Sequence, residues 1–147
     1  MDFMTALDIG ASGLTAERTA INIISMNLAN AKTTRTPEGG PYRRKQVVMA
    51  AEEVDSPFSV SMRTALDREL RGVRVLHIAD DSRPMRKAYE PGHPDADADG
   101  YVNYPDINVA EEMTNLLATM RAYEANTTSI ETIKGMYNKA LEIGRTY

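Results

Sequence analysis

The sequence contains no cysteine and no tryptophan, and only 6% of its 147 residues are aromatic. Without cysteine there is no disulfide, no thiolate catalysis and no cysteine-ligated metal. The shortage of large aromatic side chains argues against a dense globular core, although 42% of the residues are hydrophobic. These absences therefore exclude cysteine chemistry and favour a chain that does not rely on one compact core.

An excess of positive charge is also missing. The formal net charge is −4 and the sequence pI is near 5.2, which argues against a nucleic-acid-binding protein. No apolar run approaches the length of about eighteen residues that a membrane helix requires, so we expect no direct membrane insertion. The first four residues, MDFM, show no basic segment and no small-residue cleavage site of an ordinary signal peptide. If the protein leaves the cytoplasm, we expect another route to carry it.

What the sequence does contain is a long apolar stripe near its C-terminal end. Counted alternately by four and three residues, the stripe predicts a coiled-coil helix over residues 108–147. Pro105 stops the preceding segment, Asn108 can cap the helix, and Glu111 stands where a capping box requires it. Weak helix formers such as Gly135 mean that a partner must hold this helix. The expected contact positions are Met113, Leu116, Met120, Tyr123, Ile130 and Tyr137.

A second, less regular stripe predicts a helix within residues 1–35, strongest over residues 14–30 because Gly10 and Gly13 weaken its first half. Neither helix can bury its stripe alone, so we predict that the two terminal helices pair as an antiparallel coiled coil. The expected contact positions on this helix are Leu7, Leu14, Ile21 and Leu28. Both stripes are wider than a simple pair needs, which indicates contact with further chains. The residues expected to remain exposed for that contact include Ile24, Leu117 and Ile133.

The middle of the chain has a different pattern. Alternating apolar residues predict strands over residues 42–50 and 72–79, within a small β-rich insert spanning residues 36–80. The range 56–71 is ambiguous. Prolines at four positions predict an extended linker over residues 81–107. The predicted fold class is therefore mainly α with a small β-rich insert and an extended Pro-rich linker before the C-terminal helix.

An acidic motif in the predicted linker is similar to the start of an EF-hand calcium loop. Asp95, Asp97 and Asp99 alternate, Gly100 follows, and Asp106 stands at the twelfth position. The prolines just before the motif forbid the entering helix that an EF-hand requires. We therefore interpret the motif as an acidic solvated linker and assign no metal; a calcium-responsive binding module is the alternative hypothesis.

No arrangement of residues in the sequence predicts an active site. Ser12 lies in a Gly-Ala-Ser-Gly segment that lacks the second glycine of a nucleophile elbow, and the pattern indicates a helix-terminal serine. His77 and His93 are the two histidines of the chain, and they do not have metal-ligand spacing. There is no paired-carboxylate pattern, phosphate-binding loop or triad. We predict a protein that is not an enzyme and that needs no cofactor.

Residues at both ends resemble those of bacterial flagellar rod, hook and hook-associated proteins. ALDIGASGLTAER at 6–18 and NLANAKTT at 27–34 resemble the N-terminal signature of these proteins, and NVAEEM at 108–113 and RAYEAN at 121–126 resemble the C-terminal one. The linker sequence YEPGHPDAD at 89–97 is similar to that of the FlgC family of proximal rod proteins. The chain is therefore identified as a member of that family.

The resemblance implies a structural subunit of the flagellar basal body, in the axial rod that crosses the periplasm as a drive shaft. It implies delivery by the flagellar type III export apparatus without a cleaved signal peptide. The implied partners are other rod and basal-body subunits, copies of the chain itself and the export apparatus. In such proteins the terminal helices form a coiled coil that lines the core of a helical filament, and the unassembled ends tend to be disordered. A helical-hairpin adaptor that does not polymerise is the other alternative hypothesis.

Overall fold

The computed structural model describes residues 3–53 and 70–145, which form two long helices and two small β-sheets. The helices are α1 (Phe3–Ala29) and α2 (Val109–Arg145). The strands between them are β1 (Lys45–Glu53), β2 (Arg71–Asp80), β3 (Arg86–Tyr89) and β4 (Tyr101–Tyr104). The prediction of a mainly α chain with a small β-rich insert is confirmed. The ambiguous range 56–71 lies almost wholly outside the described residues.

The two helices pack side by side and run in opposite directions. At one end the rings of Phe3 and Tyr137 meet edge to face, with 5.7 Å between their centroids. At the other end Asn27 Nδ2 donates a hydrogen bond of 3.3 Å to Glu112 Oε2. Residue numbers rise along α1 while those of its partners fall along α2, so the pair is antiparallel. The buried residues of α1 are Gly13, Ala16, Ile23 and Asn27.

Helix α1 runs unbroken through both of its glycines. A Cβ atom on Gly10 would lie 2.8 Å from Ile130 Cγ1, and one on Gly13 would lie 2.9 Å from Asn126 Nδ2. A larger residue at either position would therefore force the facing side chain, Ile130 or Asn126, to shift, because real Cβ atoms do not approach other atoms so closely. The helix propensity lost at each glycine is the cost of this close approach.

Helix α2 begins where the sequence predicts. Asn108 Oδ1 accepts hydrogen bonds from the backbone N–H groups of Ala110 at 3.1 Å and Glu111 at 3.4 Å, which satisfies donors that have no partner inside the helix. Burial along α2 is uneven, since every residue from 134 to 145 is exposed. The far end of the helix is thus covered by little of the described chain.

Strands β1 and β2 form an antiparallel hairpin whose register shifts between Val48 and Met49, as at a β-bulge. The hairpin lies against α1, where the Val73 backbone N–H donates to Ser12 Oγ at 3.0 Å. The hydroxyl of Ser12 donates in turn to the Ile9 carbonyl oxygen at 2.7 Å. Ser12 therefore lies inside α1 and not at its end, because the glycines around it do not interrupt the helix.

The range 81–107, predicted as an extended linker, contains a second antiparallel hairpin formed by β3 and β4. Asp97 Oδ1 closes the loop between these strands by accepting from the backbone N–H groups of Asp99 at 3.0 Å and Tyr101 at 2.8 Å. Gly100 has a φ of +82°, a conformation that glycine adopts without strain. Side-chain hydrogen bonds and one glycine thus turn a Pro-rich segment into a folded hairpin.

Only a few hydrophobic side chains are buried in the described part of the chain, namely Ala16, Ile23, Tyr42 and Val102. Neither α1 nor α2, the helices found among the described residues, is long and apolar enough to cross a membrane.

Candidate functional site

A buried polar cluster joins the C-terminal end of α1, the first turn of α2 and the segment leading into β1. We call it the junction cluster, and its members are Asn27, Tyr42, Arg44, Asp81 and Glu112. Asn27 and Glu112 are each only 1% exposed. Burying polar or charged groups costs free energy unless they are hydrogen-bonded or paired. The bonds inside the cluster therefore decide whether these ends of the two helices can meet.

Asn27 uses the full hydrogen-bonding capacity of its side-chain amide. Its Oδ1 accepts from the Tyr42 hydroxyl at 3.0 Å and from the Lys45 backbone N–H at 2.9 Å. Its Nδ2 donates to the Lys45 carbonyl oxygen at 2.8 Å and to Glu112 Oε2 at 3.3 Å. An amide side chain offers two donors and two acceptor lone pairs, so no capacity is left over. Asn27 thereby ties the end of α1 to the start of β1 and to α2.

The Glu112 carboxylate is paired with the Arg44 guanidinium. Arg44 Nε lies 2.7 Å and Nη2 lies 2.6 Å from Glu112 Oε1. The third nitrogen of Arg44, Nη1, lies 3.3 Å from Asp81 Oδ2. A buried carboxylate is tolerated when a cation and hydrogen bonds compensate for its lost hydration. Arg44 lies in neither helix, yet it supplies the positive charge that faces the start of α2.

Asp81 extends the junction cluster to the segment that follows β2. It accepts from Arg83 Nε at 2.7 Å and from Gln46 Nε2 at 3.2 Å. The side-chain hydrogen bond from Arg83 is the main reason that the pKa of the Asp81 carboxyl lies below its ordinary value. Burial raises the pKa of the Tyr42 hydroxyl, which therefore stays protonated and can donate to Asn27.

The ten predicted contact positions lie along the two helices, and none is fully buried. Those that are half-buried are Leu7, Leu14, Ile21, Leu28, Leu116, Tyr123 and Ile130. Those that are exposed are Met113, Met120 and Tyr137. Two of the ten make direct helix–helix contacts described above: Ile130 lies over Gly10, and Tyr137 meets Phe3.

Two further close contacts between the helices use residues that a count of apolar side chains leaves out. They are the contact of Gly13 with Asn126 and the hydrogen bond of Asn27 to Glu112. A count of apolar side chains cannot find glycine, asparagine or glutamate. The signal that could have found Asn27 and Glu112 is their place in NLANAKTT and NVAEEM, the two segments that carry the family resemblance.

One face of α2 carries large apolar side chains that remain exposed. We call it the outer stripe; its members follow one another at spacings of four, four and three residues, and they are Val109, Met113, Leu117 and Met120. Leu117 is 59% exposed, as the sequence predicts, whereas Ile24 and Ile133 are half-buried. A contiguous exposed apolar stripe is typical of a surface that contacts another molecule.

The acidic motif that resembles a calcium loop has another use in the structure. Asp95 Oδ2 accepts from Thr34 Oγ1 at 2.8 Å, and Asp97 closes the β3–β4 loop. Across residues 3–53 and 70–145, no group of three or more His, Cys, Asp or Glu side chains is arranged to hold a metal ion. Asp95 and Asp97 therefore act as hydrogen-bond acceptors within the fold.

Comparisons with known proteins match segments near both ends of the chain and also nearly its whole length. A family model described as "Flagella basal body rod protein" matches residues 7–35, and one described as "Flagellar basal body rod FlgEFG protein C-terminal" matches residues 98–143. Asn27 lies in the first matched segment and Glu112 in the second, so the two matched segments meet in the junction cluster.

Three curated relatives carry the name flagellar basal-body rod protein FlgC. The relative from Borreliella burgdorferi is 41% identical, over 97% of this chain and 98% of the relative. The relative from Bacillus subtilis is 40% identical, over 95% and 97% respectively. The relative from Salmonella typhimurium is 37% identical, over 99% and 100%.

Proposed function

The chain belongs to the FlgC family of flagellar basal-body rod proteins, and we propose that its paired terminal helices are the elements through which it assembles into the rod. As a member of this family it is a structural subunit of the flagellar basal body. The observation that carries the proposal is the outer stripe, an apolar face of α2 that the antiparallel helix pair leaves exposed. The family match favours this function over a helical-hairpin adaptor or a calcium-responsive module.

The helix pair is incomplete as a self-contained unit, which supports assembly with neighbours. Beyond the outer stripe, α2 continues through residues 134–145, all exposed, and carries the apolar side chains Met136, Leu141 and Ile143 there. A helical segment of about twelve residues is marginal in water without packing. A contact between different faces of successive subunits repeats along an axis and builds a helical assembly. We propose that the ten predicted contact positions form a coiled-coil seam in this assembly.

The proposed partners are other rod and basal-body subunits and further copies of this chain. The proposed route to the rod is the flagellar type III export apparatus, which takes subunits without a cleaved signal peptide. The acidic β3–β4 hairpin, which we expected to be a linker, presents Asp97 and Asp99 to solvent and suits a basic surface on a neighbouring subunit.

The test replaces Leu117 with Asp in a strain whose own gene has been deleted. Because Leu117 is 59% exposed, we expect the substitution to break no buried contact within the subunit, whereas it puts a charge into the proposed contact surface. We expect the Leu117→Asp copy to fail to restore swimming, with basal bodies arrested before a complete rod in electron micrographs. Ser129→Asp, at an exposed polar position of the same helix, is the matched control and should restore swimming. Normal flagella with Leu117→Asp would refute the assignment of the outer stripe.

A further inference from the structure

Arg44 stands at the point where three parts of the fold meet. It lies just before β1, its side chain reaches Glu112 in the first turn of α2, and its neighbour Lys45 is bound to Asn27 at the end of α1. Its backbone carbonyl oxygen accepts from the Asp81 N–H at 2.7 Å, directly after β2. The position of the guanidinium therefore depends on the β1–β2 hairpin being formed.

We infer that Arg44 makes the pairing of the two terminal helices conditional on the fold of the β1–β2 hairpin. When the helices meet, Glu112 is withdrawn from water, and its charge must be compensated. Asn27 supplies one hydrogen bond to Glu112 Oε2, but it carries no charge. The compensating charge comes from Arg44, which is held in place by its bonds to Asp81, the residue directly after β2.

Among the described residues, no other cation is paired with the Glu112 carboxylate. Glu112 is the one buried residue that α2 contributes among the residues described for it, and the other helix–helix contacts described above involve Gly10, Gly13 and the ring pair of Phe3 and Tyr137. The apolar side chains along the pair, most of them half-buried, stabilise the helix–helix contact, but they cannot compensate the charge on Glu112. Without Arg44, the contact between the two helices should therefore be weakened at the junction cluster.

The test is hydrogen exchange of the purified full-length chain, measured by mass spectrometry on Arg44→Gln. We expect amide exchange in residues 20–29 and 109–119 to rise by about a hundredfold or more, because a buried carboxylate is left without its cation. Exchange in β2 should rise by less than about tenfold, since Arg44 lies outside both strands. Arg74→Gln is the matched control: it removes a 2.6 Å ion pair with Glu52 whose side chains are 65% and 51% exposed, and it should leave both helices protected.

A second variant distinguishes the effect of the uncompensated buried charge from a general loss of structure. Arg44→Gln combined with Glu112→Gln removes the uncompensated charge and lets two amides face each other. Amide exchange in the two helices should therefore be at least about tenfold slower in this double variant than in Arg44→Gln alone. The inference is overturned if Arg44→Gln leaves the helices protected, or if it exposes β2 as much as the helices. It is also overturned if the double variant is no better than Arg44→Gln, or if both helices are already unprotected in the wild-type chain.

Discussion

At the scale of single residues, the helix pair is specified by small and polar side chains. Glycines at positions 10 and 13 allow α2 to approach closely, and the hydrogen bond between Asn27 and Glu112 forms in only one alignment of the helices. A buried polar pair costs desolvation, but it penalises every shifted register in which it is unpaired. These four residues therefore favour the observed alignment of the two helices, although they add little apolar burial.

Two single variants, Gly10→Ala and Gly135→Ala, distinguish the effect of the close helix–helix approach on stability from the effect of helix propensity. Gly135 has no atom within 4 Å of an added Cβ, so Gly135→Ala should stabilise the chain by about 1 kcal/mol through helix propensity. Gly10→Ala gains the same propensity but forces its Cβ to 2.8 Å from Ile130 Cγ1, so it should be net destabilising by about 1–3 kcal/mol. Urea unfolding followed by circular dichroism measures both free energies.

The rescue for this experiment is Gly10→Ala combined with Ile130→Ala, which removes the atoms that the new Cβ would meet. If Gly10→Ala alone proved as stable as Gly135→Ala, the close approach of the helices at this position would be disproved.

At the scale of elements, α2 is divided into a partly covered segment, residues 109–133, and an exposed segment, residues 134–145. Its first turn is anchored by the Asn108 cap and by the junction cluster. Its last twelve residues, 134–145, are all exposed. Local stability increases with the number of buried contacts, so the two segments of α2 should unfold locally with different free energies.

Limited trypsin digestion of the purified chain tests this difference along α2. We expect cleavage after Lys134 and Lys139 to precede cleavage after Arg121, because a protease needs about a full turn of locally unfolded chain and the last residues unfold at the lowest cost. Mass spectrometry of the fragments over time gives the order. If cleavage after Arg121 came first, burial at the junction cluster would not protect residues 109–133 of α2.

At the scale of the whole molecule, polar links take the place of a large core. Arg83 Nη1 lies 3.5 Å from Asp106 Oδ2 and joins the end of the β1–β2 hairpin to the segment before α2. Thr34 Oγ1 donates to Asp95 Oδ2 at 2.8 Å and joins the segment after α1 to the β3–β4 hairpin. The exposed pair of Arg83 and Asp106 contributes little by itself, so the pH response of the fold should depend more on Asp81, which is paired with both Arg44 and Arg83.

The lowered pKa of the Asp81 carboxyl indicates the direction in which stability changes with pH. Its pKa is lower in the folded chain than the ordinary value of about 3.9, chiefly because of the hydrogen bond from Arg83. Its contribution to stability is therefore complete above about pH 4 and is lost as the pH falls through the lower, folded-state pKa. We expect the melting temperature to fall between about pH 4 and pH 2, and to fall less in Asp81→Asn, whose stability at neutral pH should be lower. Equal acid sensitivity in the two proteins would contradict a depressed Asp81 pKa.

Much of the secondary structure could be predicted because its signals are local. The C-terminal stripe and the Asn108 cap predict a helix over residues 108–147, and the structure has Val109–Arg145. Alternation predicts two strands, and the structure pairs Lys45–Glu53 with Arg71–Asp80. The β3–β4 hairpin was missed because each strand has only four residues and its loop depends on hydrogen bonds to the Asp97 side chain.

The sequence by itself determined the two terminal helices, the small β-rich insert and the family, because periodicity, capping and signature residues are read along the chain. Only the tertiary structure decided which residues join these parts. Glu112 is a charged residue in the first turn of α2, where the sequence alone suggests exposure to solvent. It is buried because the β1–β2 hairpin brings Arg44, 68 positions earlier, into contact with it. The burial of this charge depends on a partner that is distant in sequence, and the pattern of apolar residues around Glu112 does not predict that partner.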